Sequence, residues 1–599
     1  MNRLIKKAKY EEELNIAKDS KKNPKRFWKY VDSKRKCKAK INPLSKGDGS
    51  FTKTDKEKAD ILDKQFSSVF TEEDMSNIPS MEPGELSKGC FLTNIVITEK
   101  AIKDKLNKLN SNKTAGPDQI FPRVLKELAD ELSLPLTHLF NKSLEEGKLP
   151  EDWTTAEVCA IFKKGSKNDP GNYRPISLTS VLCKMLESII TDSIQSHMES
   201  LDIYAKSQHG FRKGKSCVSQ LLEVIEDLNS FTDRKEAFDI IYLDFQKAFD
   251  SVPHQRLLTK LNAYGIEGNI LKWIKAFLLT RTQKVRVGNY LSNPSKVKSG
   301  IPQGSILGPV LFTIFINDLP EGVESLLKIF ADDTKIYNKS ENHDKLQKDL
   351  DTIQRWSEKW QLTFNIKKCK RMHFGNNNER KDYFLNTEAG PQLITEVEEE
   401  TDLGITFDNK LKFERHITNK INKANQSVGI IKKNFKHLDS DILVLLYKAL
   451  VRPHLEYGQA IWYPHQMNQS KSIEKVQRRA TKTIKEISHL SYDERLKVLG
   501  LPSLKYRRLR GDLIIVYGII QKGEHDRFFK FHGPDSTTRG HGLKMYKDQS
   551  NTNSKKFSFS NRVITTWNQL PEAIVKATSL NQFKNLLDRQ LSNLKYKYD

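Results

Sequence analysis

"KIFADDTKIY" runs from Lys328 to Tyr337 and places two adjacent carboxylates, Asp332 and Asp333, between short runs that alternate apolar and polar residues as the arms of a hairpin do. Like charges side by side repel, and each resists desolvation, so folding alone gives little reason to set them at a turn flanked by Phe330 and Ile336. Something outside the chain must compensate them.

A third carboxylate lies upstream in "FDIIYLDFQKAFDSVPH". The apolar run predicts a strand from Ile240 to Phe245, with Tyr242 and Asp244 on one face and Leu243 and Phe245 on the other. An aspartate at a strand end is ordinarily a turn former or a helix cap. If the two strands pair, however, Asp244, Asp332 and Asp333 converge on one sheet edge as a hard, oxygen-rich site suited to Mg²⁺. Two such ions about 3.5 to 4 Å apart can activate an attacking hydroxyl and stabilise a leaving pyrophosphate. Between these carboxylates lies "SGIPQGSILGPVLFTIFINDL", Ser299–Leu319, a Gly/Pro loop followed by a helix striped with Leu307, Val310, Leu311 and Ile314. Gly300 and Gly304 let the backbone approach a ligand closely, and Gln303 offers an amide to a base or sugar edge.

The rest of the chain suits a polyanionic partner. It has 599 residues, a formal charge of +25 and 37% hydrophobic residues, and Lys and Arg that neutralise phosphates release condensed counterions. Binding to such a partner is expected to weaken steeply with salt. An acidic membrane surface could exploit the same charge, but no apolar run approaches the roughly 18 residues of a membrane span. The start, "MNRLIKKAKYEEEL", is too charged for a signal peptide. Six scattered cysteines (Cys37, Cys90, Cys159, Cys183, Cys217 and Cys369) form no C-x-x-C pair, which argues against a zinc knuckle or a disulfide framework and for a reducing intracellular compartment.

The pattern along the chain divides it into five stretches. Residues 1–97 form a basic, polar extension, solvated and partly helical, and ordered structure is expected to begin at the helix "TEKAIKDKLNKL", with Thr98 as its N-cap. Residues 98–408 mix helices and short strands and carry most Gly and Pro signals, an α+β catalytic domain. Residues 409–530 are helical, including the basic amphipathic segments "SIEKVQRRATKTI" and "SLKYRRLRGDLIIVY". Residues 531–556 lack periodicity and read as a flexible linker, and 557–599 as a small helical unit. "GFRKGKS" at Gly210–Ser216 has three residues between its glycines where a P-loop needs four, so it reads as a basic turn touching template phosphates.

In order along the chain, "AGPDQI", "LPEDWTTAEVCAIFKKGSKNDPGNYRPISLTSVLCKMLESII", "QHGFRKGKSC", "YLDFQKAFDSVPH", "SGIPQGSILGPVLF", "FADD", "LTFNIKKCKRMHFG" and "TDLGITFD" resemble the successive motifs of reverse transcriptases of non-LTR (LINE-type) retrotransposons, in particular the jockey-like group. The resemblance implies a right-hand polymerase with fingers, a palm built on an antiparallel sheet, a thumb and a mostly helical C-terminal region. It implies that Asp244, Asp332 and Asp333 bind two Mg²⁺ ions, with Mn²⁺ as a substitute and the Phe245 carbonyl as a further ligand. Lys163 and Arg174 match residues that hold the triphosphate, Phe249 the aromatic gate against a 2′-hydroxyl, Gln303 and Gly304 the lining of the nascent base pair, and Lys368 the lysine that protonates pyrophosphate. Lys367 and Lys370 compete with Lys368 for that register. "TDLGITF" matches the primer-grip hairpin, although the family often has Tyr where Asp402 stands. The implied partners are an RNA template, a DNA primer and dNTPs, with no membrane; the implied location is intracellular, with synthesis in the cytoplasm and action in the nucleus.

Two expectations concern what accompanies the polymerase. Only about 110 residues precede the first motif, fewer than an endonuclease domain needs, so the chain is expected not to nick its own target. No acidic constellation downstream argues for an RNase H. The alternative function is a catalytically silent nucleic-acid-binding remnant; all three carboxylates being intact weighs against it.

Overall fold

The computed structural model describes residues 2–34, 41–387, 390–532 and 540–598; Cys37, the end of the basic run "SKRKCKAK" and part of the stretch read as a linker lie outside them. The organising element is a five-stranded sheet in the order Thr395–Glu396, Lys370–Phe374, Phe238–Leu243, Asp333–Lys339, Leu326–Phe330, antiparallel except for the short first pairing. Alternation along the central strand splits its side chains between two cores, as period two requires. Phe238 and Ile240, with Tyr337, Met372 and Phe374 of the flanking strands, face one core; Ile241, Leu243 and Phe245, with Ile329 and Ile336, face the other. This is the α+β architecture with an antiparallel sheet and a helical C-terminal region that the sequence predicts. The strand ends at Leu243, so Asp244 lies just past its end and not within it.

The second core is closed by helices Val181–Ser200, His254–Ala263, Gly268–Leu279, Gly308–Phe315 and His343–Trp360. The predicted stripe Leu307, Val310, Leu311 and Ile314 is buried there. Thr98 caps its helix as expected, accepting from the Ala101 amide. A second sheet sets Thr155–Phe162 antiparallel to Tyr173–Leu178 and parallel to Thr282–Val287.

Two expectations about order are corrected. The N-terminal extension is packed where described. Helix Asp55–Ser67 buries Ala59, Leu62 and Phe66 against the second sheet, and Phe27 and Val31 of helix Pro24–Ser33 enter the core of the C-terminal helices. Glu13 accepts from the Lys436 and His437 amides, and Tyr10 donates to Asp439 at 2.7 Å. Of the stretch read as a flexible linker, residues 540–556 are tied down: Met545 is buried and bonded by Asn568, and Asn551 and Thr552 donate to Asp233. The reason is the same in both cases. Tyr10 and Asn551, for example, bond residues 429 and 318 positions away, and local periodicity carries no trace of such partners.

Candidate active site

The acidic pair sits on a two-residue turn, Phe330 pairing with Asp333 across Ala331 and Asp332. Antiparallel register pairs Leu243 with Thr334, so the next positions along the two strands are Asp244 and Asp333. The predicted convergence is therefore built by one pair of hydrogen-bonded strands. Ala331 has φ of +55°, a left-handed conformation that costs about 1 kcal/mol for a residue with a Cβ. It is held by Gln208, which is fully buried and accepts from the amides of Gly210 and Ala331. The backbone of Ser207–His209 bonds Ile329 as an additional short strand. A Cβ on Gly210 would stand 2.4 Å from the Ala331 nitrogen, so "QHG" is a cradle for the acidic turn. The adjoining basic turn is less available than expected: Arg212 is held by Glu199 through two bonds and Lys215 by Glu524.

Electrostatics couple the members of the constellation. Burial first, and then the Asp244 carboxylate, raise the Asp332 carboxyl, against the pull of Arg174 and Lys163. Burial, Asp332 and Asp402 push Asp333 up to about 6, with Lys335 opposing. Asp333 keeps part of its surface open to solvent, so the crowding it feels is that of a groove and not of a sealed core. A carboxyl raised in the folded state favours folding fully below its unfolded pKa and loses that contribution as pH rises through about 6. Asp333→Asn is accordingly expected to raise the melting temperature of the metal-free protein by about a degree or two at pH 7.5, with no gain at pH 4, in thermal melts at the two pH values.

The remaining predicted residues fall around this turn. Lys368 donates to Asp244 Oδ1 at 3.1 Å, whereas Lys370 donates to the Lys367 carbonyl. Phe245 is stacked on Phe364 at 4.4 Å. Bonds from Gln246 N to Thr363 O and from Asn365 N to Asp244 O flank it, leaving the Phe245 carbonyl outside the ladder. Lys163 and Arg174, on the two arms of the hairpin that carries the register pair Ile161–Arg174, are exposed. Among the described residues no carboxylate forms an ion pair with either. Burial and the nearby cations Arg174 and Lys368 lower the Lys163 ammonium. Phe249 is half-buried, its ring stacked on Phe312 at 4.6 Å. Gly304 has φ of +134°, and a Cβ there would lie 2.3 Å from the Ser177 carbonyl oxygen, so only glycine lets this loop lie against the neighbouring strand.

Two contacts were not legible beforehand. The Gln303 amide, expected to face a ligand, donates to both oxygens of Asp250 at 3.1 Å. Asp402, on the expected hairpin Glu399–Asp402 and Ile405–Asp408, is buried in an ion pair with Lys335, which gives an acidic residue at that position a physical reason. A signal for the second was present: Lys335 alternates with Asp333 on one face of a strand and is almost completely buried there.

Among the described residues no group of three or more His, Cys, Asp or Glu side chains is already closed around a point where a metal could sit. Lys368 stands on Asp244 instead. The donor set nevertheless fits a hard cation: carboxylate oxygens and a carbonyl outside the ladder, with two of the carboxyls raised by burial and then by neighbouring carboxylates, both of which a divalent ion would offset.

An antiparallel sheet with an acidic hairpin turn beside a strand-end aspartate, near cations that pair with no carboxylate among the described residues, suits the class of metal-assisted phosphoryl-transfer enzymes, polymerases among them. Comparison with known proteins places the chain within that class. Residues 161–414 match the reverse transcriptase (RNA-dependent DNA polymerase) family. The RNA-directed DNA polymerase from mobile element jockey of Drosophila melanogaster is 32% identical over 61% of this chain and 41% of its own length, and that of Drosophila funebris 31% over 69% and 47%. The probable RNA-directed DNA polymerase from transposon X-element of Drosophila melanogaster is 27% identical over 76% and 52%. This chain therefore carries a reverse transcriptase domain of the jockey-like, non-LTR retrotransposon group. It spans about half the length of the curated relatives it matches. Among the described residues no helix is long and apolar enough to cross a membrane.

Proposed function

We propose that the chain is an RNA-directed DNA polymerase that transfers dNTPs to the 3′-hydroxyl of a DNA primer on an RNA template. The observation that carries this reading is the convergence, at one strand-paired turn, of Asp244, Asp332 and Asp333 with the unpaired cations Lys163 and Arg174. Acidic groups alone would suit a bare metal site; cations left unpaired beside them suit a triphosphate delivered with metal.

Asp244, Asp332, Asp333 and the Phe245 carbonyl would hold divalent metal, Mg²⁺ by the hardness of the donors, and that metal would supply neutralisation of phosphate charge and activation of the primer hydroxyl. Lys163 and Arg174 hold the triphosphate, the guanidinium as a bidentate fork and the ammonium as a point charge. Lys368, whose ammonium stands 3.1 Å from Asp244 Oδ1, is a proton donor for the leaving pyrophosphate. Gln303 and Gly304 line the nascent pair. The helices after residue 409 form the thumb, and the Glu399–Asp408 hairpin the primer grip. A nuclear site of action follows from the substrate.

Phe249 is the sugar gate. With one ring face fixed on Phe312, its edge cannot yield to a 2′-hydroxyl. Phe249→Val removes that edge and is expected to raise ribonucleotide incorporation, relative to deoxyribonucleotide, by about tenfold or more in single-nucleotide extension assays. Unchanged sugar selectivity would reject the gate. The reading as a whole is tested by extension of a DNA primer on matched RNA and DNA templates: extension on RNA supports it, and extension on DNA alone would reassign the template.

A further inference from the structure

The contact between Gln303 and Asp250 goes beyond the polymerase reading, on which it rests. Residues 247–252 and the loop 299–304 are fastened together along their backbones: Ile301 N donates to Phe249 O at 2.6 Å, Gly300 N to Val252 O at 2.8 Å and Ser299 Oγ to Asp250 O at 2.9 Å. A Cβ on Gly300, whose φ is +84°, would come 2.5 Å from the Asp250 carbonyl oxygen, so the two segments are in direct backbone contact. One unit thus carries both Phe249 and Gln303. Within it the Gln303 amide is held through its side chain, and both oxygens of Asp250 accept from its Nε2 at 3.1 Å.

A carboxylate can only accept. While Asp250 is ionised, the amide cannot turn over without setting its own oxygen against two acceptor oxygens. Nε2 is therefore committed, and among the described residues no donor reaches Gln303 Oε1. We propose that Asp250 is a positioning residue that fixes the polarity of Gln303, so that an acceptor, Oε1, is the pole offered to the incoming nucleotide. Gln303 then selects for a donor on that nucleotide, a sugar hydroxyl or an exocyclic amine, and not for the acceptors that every base pair shows in its minor groove.

Charges around the carboxyl agree with this role. Lys247 from its own turn and Arg174 from strand Tyr173–Leu178 face it, and Arg281 lines the same small cavity of about 30 Å³. Burial pushes the Asp250 carboxyl up to about 6, the Gln303 bonds, Lys247 and Arg174 working against that rise, so it is ionised at pH 7.5. A residue at position 250 that merely fastened the loop could be replaced without altering nucleotide affinity, because the fastening bonds end, on the 247–252 side, on backbone carbonyls that any residue supplies.

The test is Asp250→Asn, which preserves shape and those backbone bonds while allowing the amide to turn over. It is made alone and with Gln303→Ala, at pH 7.5 with Mg²⁺. Single-nucleotide extension gives kcat and KM for the dNTP. Titration of dNTP into the complex with a chain-terminated primer gives affinity without catalysis. Asp250→Asn is expected to raise KM and the dissociation constant by about tenfold or more with kcat changed less than about threefold. The double variant is expected to be no worse than Gln303→Ala, because the two side chains act as one. A dissociation constant unchanged in Asp250→Asn, or losses that multiply in the double variant, would overturn the assignment. Melting curves within a degree or two of the wild type exclude misfolding, and Asp250→Glu, which keeps an acceptor-only partner, should recover part of the loss. A wild type that binds no dNTP and extends no primer would overturn the polymerase reading itself, before any variant is compared.

Discussion

Asp244→Asn, and equally Asp332→Asn, is expected to lower primer extension by about a thousandfold or more while leaving affinity for primed template within about twofold. The substitution is nearly isosteric. The backbone bond from Asn365 N to Asp244 O, which holds the strand end in place, does not involve the side chain, and neither does the two-residue turn at Asp332. What is lost is a negative charge facing Lys163, Arg174 and Lys368. Removing a negative charge from a groove that receives a polyanion cannot weaken attraction for the phosphate backbone, so a catalytic loss unaccompanied by a binding loss isolates the metal-ligand role. Single-turnover extension beside filter binding at the same ionic strength makes the comparison. Binding that fell in step with activity would mean the carboxylates shape the groove and do not serve its chemistry.

Gly210→Ala is expected to cost nearly as much, at least about a hundredfold in extension, from a residue that touches no substrate. Its added Cβ would lie 2.4 Å from the Ala331 nitrogen and 3.0 Å from both the Phe330 carbonyl carbon and Gln208 Oε1. Two of those three atoms are backbone, and the third belongs to a buried side chain bonded to both amides of the cradle. Nothing there is the free end of a flexible side chain, so the acidic turn must move away. A displacement of about 1 Å at a catalytic carboxylate is enough for such a loss. Because the overlap is local, melting temperature should fall by only a few degrees. Extension within threefold of wild type would show that the turn relaxes independently of "QHG".

What the sequence made legible follows from locality. Asp332 and Asp333 were readable because a charged pair inside alternating strands conflicts with the surrounding pattern, and the conflict marks a site. Asp244 was readable only in company, since the same residue at a strand end is a turn former in most chains. Lys368 could not be separated from Lys367 and Lys370 by spacing; in the structure the Lys368 side chain reaches Asp244 and that of Lys370 the Lys367 carbonyl. Gln303 was singled out for its amide, and the donor end of that amide is the one Asp250 occupies. That contact joins two turns 53 positions apart, and no periodicity reports it. The N-terminal helices were read as solvated because their composition is polar; their few apolar residues are spent far along the chain, Phe27 and Val31 in the core of the C-terminal helices and Ala59, Leu62 and Phe66 on the second sheet. Polar composition bounds how much a segment can bury, and it says nothing about where that little is buried.

Asp402 shows how a departure from pattern can be absorbed. The hairpin around Leu403 and Gly404 turns through two left-handed residues, and its arms pair from Glu399–Asp408 to Asp402–Ile405. Asp402 is buried beside Asp333, whose carboxyl it helps to raise, yet its charge is matched by Lys335 on the strand that carries the acidic pair. The expected hairpin is thus tied to the candidate catalytic strand by an ion pair, and removing one partner alone would leave the other buried and uncompensated.

The most direct measurement is extension of a DNA primer on an RNA template by the purified chain with Mg²⁺, run beside the double variant Asp332→Asn, Asp333→Asn. Extension by the wild type and none by the variant, both binding primed template equally, is the predicted result. A folded wild type that binds primed template and extends nothing with either Mg²⁺ or Mn²⁺ would contradict it, and would make the acidic turn the inherited scar of a silent nucleic-acid-binding protein.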